Sequence, residues 1–134
     1  MTISWPCKYP IDTTRILIGL VQTQQKAIDY YSEKFPGIAY PYDSFTTFID
    51  YGPYGMEFPM IANNGQPDIP LTVHELFHSY FPMYVRTNDK RCAWMDEGWA
   101  VYYTLMFTNR VTKNKYYLSN GFYYEYGFNK AISS

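Results

Sequence analysis

The sequence predicts an α+β domain: a short mixed sheet followed by helices. Three observations carry this. Apolar residues recur at helical spacing between Thr13 and Lys34. Two pieces of strand composition, Ser44 to Tyr51 and Met56 to Ala62, flank a Gly52-Pro53-Tyr54-Gly55 turn. Two more helical stretches follow, starting near Pro70 and near Met95. A chain of 134 residues suits one domain, residues 1–134, with one core.

Each element has a local reason. In the first helix Leu17, Leu20, Val21, Gln24, Ala27, Ile28 and Tyr31 share a face, with one polar exception. Asp12 or Thr13 can cap its start, and Pro36-Gly37 ends it. Phe45, Thr46, Thr47, Phe48 and Ile49 favour a strand. Pro59 makes the second extended piece an edge strand or breaks it. Asn63-Asn64-Gly65 signals a turn. Pro70 suits a first helical turn, and the second helix runs to about Phe81. Pro82 kinks or ends it, because it cannot donate to the carbonyl four back. Residues 86–91 read as a loop, and the third helix covers Met95 to Asn109. The aromatic tail from Val111 fits helix or strand.

Composition narrows the function. A net charge of −1 argues against a nucleic-acid partner, which needs a basic face. No apolar run approaches the roughly 18 residues of a membrane span. Aromatic residues make up 21% of the chain, which points to surface meant to be covered. Left uncovered, such surface favours self-association. Cys7 and Cys92 could pair in an oxidising compartment, or stay as two buried thiols, the simpler reading.

His74-Glu75-Leu76-Phe77-His78 lies in the second predicted helix and holds the only two histidines of the chain. Residues i and i+4 lie on one face, about 6 Å apart along the axis. Two imidazoles so placed can bind one Zn²⁺. Glu75 is rotated about 100° from His74, so it reaches a water on the metal rather than the metal, as a general base does. Nineteen residues after His78 comes Glu97, early in the third helix. If that helix packs antiparallel to the second, its carboxylate completes a His₂Glu site with an open position, the pattern of a catalytic zinc. Asp96 reads equally as a partner for a ligand histidine or as an acid at a helix N-terminus.

These residues resemble the gluzincin zinc metallopeptidases. Gly55-Met56-Glu57 resembles the Gly-x-Met-Glu-Asn exopeptidase motif of the aminopeptidase N family. Trp94-Met95-Asp96-Glu97-Gly98-Trp99-Ala100 resembles that family's Trp-Leu-Asn-Glu-Gly-Phe-Ala block. The resemblance runs over residues 40–103. It implies a partial thermolysin-like catalytic domain within a larger one, and a single zinc ion held by His74, His78 and Glu97. It implies that Glu75 is the general base activating a zinc-bound water. Glu57 would bind the free α-amino group of a peptide substrate, with the backbone of Gly55 and Met56 flanking the scissile carbonyl. The implied activity is removal of N-terminal residues. An endopeptidase with the same zinc core, or a non-catalytic zinc-binding interaction module, are the alternatives.

The sequence departs from the family's motifs at positions that bear on the site. Tyr54 and Phe58 stand where the exopeptidase motif has Gly and Asn, and Asp96 stands where the family has Asn. The family's oxyanion-stabilising tyrosine lies well beyond the ligand Glu. Tyr123 or Tyr126 could substitute for it, although packing is the simpler role for both.

Overall fold

A computed structural model describes residues 2–4, 13–50, 52, 54–88 and 90–110. Its elements run β1 (Thr2–Ser4), α1 (Thr13–Glu33), β2 (Thr46–Ile49), β3 (Gly55–Phe58), β4 (Ile61–Asn64), α2 (Ile69–Phe77), a π-helical turn (Ser79–Tyr84) and α3 (Ala93–Arg110). The fold is α+β, as expected. The four strands form one mixed sheet in the order β1-β2-β4-β3. β2 lies parallel to both β1 and β4, and β3 is antiparallel to β4.

The N-terminal strand β1 was not anticipated from sequence. The expected strand over Met56 to Ala62 is instead a hairpin, with Pro59 and Met60 at its turn. Proline cannot continue a ladder, so the chain reverses there. Met60 adopts the left-handed conformation (φ 65°) that such a reversal needs. Asn63 and Asn64, read as a turn, belong to β4, and the first expected strand shortens to Thr46–Ile49. α2 ends at Phe77 rather than Phe81, and the kink ahead of Pro82 falls on Phe81 (φ −133°, ψ 121°). The readings made for Asp12, Cys7, the aromatic tail, Tyr123 and Tyr126 lie outside the described residues, and Cys92 carries a free thiol.

The apolar face of α1 is the expected one. Leu20, Gln24, Ala27 and Tyr31 are fully buried at helical spacing. The polar exception, Gln24, donates from Nε2 to Thr47 Oγ1 on β2, which makes its burial tolerable. Gly37 (φ 76°) lies beyond the end of α1 and returns its N–H to Tyr31 O at 2.9 Å. Tyr31 stands at the centre of the core. Its ring meets Phe77 (5.1 Å), Tyr80 (5.9 Å) and Tyr103 (6.0 Å) edge-on, which joins α1 to α2 and α3. Much of the aromatic excess is therefore core, while Trp94, Trp99 and Tyr102 remain exposed. Among the described residues no helix is long and apolar enough to cross a membrane.

Two local devices aim α2. Asp68 caps it by accepting from Leu71 N at 3.0 Å, with Pro70 in the first turn. Asn64 Nδ2 donates to Thr72 Oγ1 at 3.0 Å, which ties the end of β4 to the helix. α3 packs against α2, and β3, one of the two edge strands among the described residues, lies over the same helix.

Candidate metal centre

α2 presents His74 and His78 one turn apart, and α3 supplies Glu97 from its own first turns. The ligand atoms of all three lie within 4.8 Å of one another. His74 Nε2 is 3.2 Å from His78 Nε2 and 3.4 Å from Glu97 Oε2. An ion with tetrahedral bonds of about 2.0–2.1 Å has ligand-to-ligand edges of about 3.3–3.4 Å. Both distances lie near that edge, and the third, from His78 to Glu97, is within 4.8 Å, so the three residues are grouped closely enough to hold one Zn²⁺. The site opens on one side: the side chains of His74 and Glu97 are 12% and 19% exposed, that of His78 only 1%.

A second group, Glu57, His78 and Asp96, also lies within 4.8 Å. It does not make a metal cage. Asp96 Oδ1 approaches His78 Nδ1 to 2.6 Å, too close for both to bind one ion and right for a charge-assisted contact. The Phe81 carbonyl reaches the same nitrogen at 3.0 Å. That carbonyl is available because Phe81 leaves the helical path. Sequence reasoning missed this contact, although Pro82 signalled the kink. Asp96 sits in the first turn of α3 and against His78.

No family model, curated protein or solved structure matches this chain.

Glu75 is buried at the joint between α2 and β3. A methyl group on Gly55 would lie 2.6 Å from Glu75 Cδ and 2.8 Å from Leu71 Cδ1, so a side chain there would push the end of Glu75 or of Leu71 aside. Glu57 follows two residues later on the same face of β3 and comes near His78 and Asp96. Tyr54 O accepts from Gly65 N at 2.7 Å across the hairpin. Antiparallel alternation then turns Met56 and Phe58 toward β4, and the backbone groups of Gly55 and Glu57 toward the open edge. The Met56 backbone faces β4, and its side chain is exposed on the other face of the strand.

The two imidazoles titrate in opposite directions without metal. Burial, together with the nearby His78, lowers His74 despite its bond to Glu97. Burial also pulls His78 down, but the bond and charge of Asp96, with Glu57 and Glu75, outweigh it and push His78 up to about 9. A raised folded value stabilises the protein fully below the unfolded value, about 6.5, and that stabilisation is lost as pH rises through about 9. The lowered His74 acts the other way, and its contribution is lost as pH falls below about 6.5. The thermal midpoint of chelator-treated protein should therefore decline between about pH 6.5 and 9, and His78→Gln should abolish that decline. An unchanged slope in the variant would place its source elsewhere.

Proposed function

We propose that the chain carries the catalytic core of a zinc metallopeptidase of gluzincin type, with a thermolysin-like arrangement, that removes N-terminal residues from peptides. The observation that carries this reading is the pair of tetrahedral-edge distances among His74, His78 and Glu97. Bound zinc would supply Lewis acidity and lower the pKa of a coordinated water toward about 7.

The chain's own residues supply the rest. Glu75, held against Gly55, accepts a proton from the attacking water and returns it to the leaving amine. Glu57, on the same face of β3, receives the substrate ammonium by a charge-assisted hydrogen bond. The outward backbone groups of Gly55 align an extended substrate along the open edge of the sheet.

Two measurements test this. Zinc by atomic absorption should show one equivalent per chain, lost in His74→Ala. A peptide with a free N-terminus should be cleaved, and its N-acetylated form should not. A chain that retains no zinc refutes the metal site. Equal cleavage of both peptides refutes amine recognition by Glu57 and favours an endopeptidase.

A further inference from the structure

We infer that Asp96 is a positioning residue whose negative charge acts on the metal through His78. The inference rests on the metal site proposed above and concerns a residue that is not one of its ligands.

The two ligand imidazoles are unequal. His74 Nδ1 is buried with no hydrogen-bond partner among the described residues. His78 Nδ1 has two neighbours, the Phe81 carbonyl at 3.0 Å and Asp96 Oδ1 at 2.6 Å. These neighbours divide the work. The carbonyl is aligned with the ring N–H, so it fixes the tautomer and leaves the Nε2 lone pair directed at the metal. Asp96 Oδ1 is closer still and brings the charge of a carboxylate to the same nitrogen. A buried carboxylate 2.6 Å from the ring raises the basicity of His78 as a ligand.

Burying that anion is costly unless something compensates. Two features do. The side chain, 8% exposed, sits in the first turn of α3, where the helix dipole favours a negative charge. It also faces the site of a divalent cation.

Asp96→Asn keeps the shape and removes the charge. Zinc affinity, measured by competition with a chromophoric chelator, should fall about 10- to 100-fold in Asp96→Asn and by a similar factor in Asp96→Ala. The visible bands of the Co²⁺-substituted protein should shift in both. A hydrogen-bonding role alone would spare Asp96→Asn, so wild-type affinity and an unchanged cobalt spectrum in that variant overturn the inference. So does a lower thermal midpoint of the metal-free variant with zinc affinity intact, which marks a structural role only. If Asp96→Ala does not fold, Asp96→Asn decides alone. Failure of the metal site itself is a separate result, because wild-type protein would then bind neither zinc nor cobalt.

Discussion

Glu75→Gln is expected to lower kcat for peptide hydrolysis by about 10²- to 10⁴-fold while leaving bound zinc unchanged. The amide matches the carboxylate in volume, so its fit against Gly55 survives. What it loses is the capacity to accept a proton from water. His74, His78 and Glu97 do not use Glu75 as a ligand, so their 3.2 Å and 3.4 Å spacing should persist. Steady-state rates, atomic absorption and a thermal melt on one preparation separate the effects. A variant with normal zinc, a normal melt and activity within a few-fold of wild type would remove Glu75 from the chemistry.

Helical residues of the site were legible because their geometry is local. His74, Glu75 and His78 lie within five residues, and a helical rise alone fixes their spacing. Glu97 was legible only conditionally, since its place depends on α3 packing against α2. Aromatic contacts hold that packing: Phe77 of α2 stacks on Tyr103 of α3 at 4.2 Å, and Tyr31 of α1 sits beside both.

The strands were less legible because their partners are distant. Pro59 allowed either an edge strand or a break, and the hairpin satisfies both by ending one strand and making it the edge. Nothing local indicated that β3 would lie on α2 closely enough for Glu57 to meet His78. The Phe81 carbonyl was hidden for a different reason. Its role depends on one residue leaving the helical path at the right point. Sequence pattern thus reports periodicity well, and reports poorly the contacts made where periodicity stops.

Gly55→Ala should reduce kcat/KM by about 10²-fold, the cost of displacing a catalytic group by roughly 1 Å. The added methyl would fall 2.6 Å from Glu75 Cδ and 2.8 Å from Leu71 Cδ1, and both neighbours are carried by α2. Either β3 moves away from the helix, taking Glu57 with it, or Glu75 turns out of place. Overpacking of this kind costs about 1–3 kcal/mol of stability. The proposed metal ligands lie on α2 and α3, so zinc content should hold, and that separates this variant from any ligand mutant. Gly19→Ala in α1 is the control. Its methyl would meet nothing within 4 Å, and removing a glycine from a helix should stabilise the chain by about 0.4–1 kcal/mol. The same chemical change should therefore have opposite effects on stability at the two positions, and an effect on activity only at Gly55. Full activity in Gly55→Ala would mean that the close approach of β3 to Glu75 does not position the base.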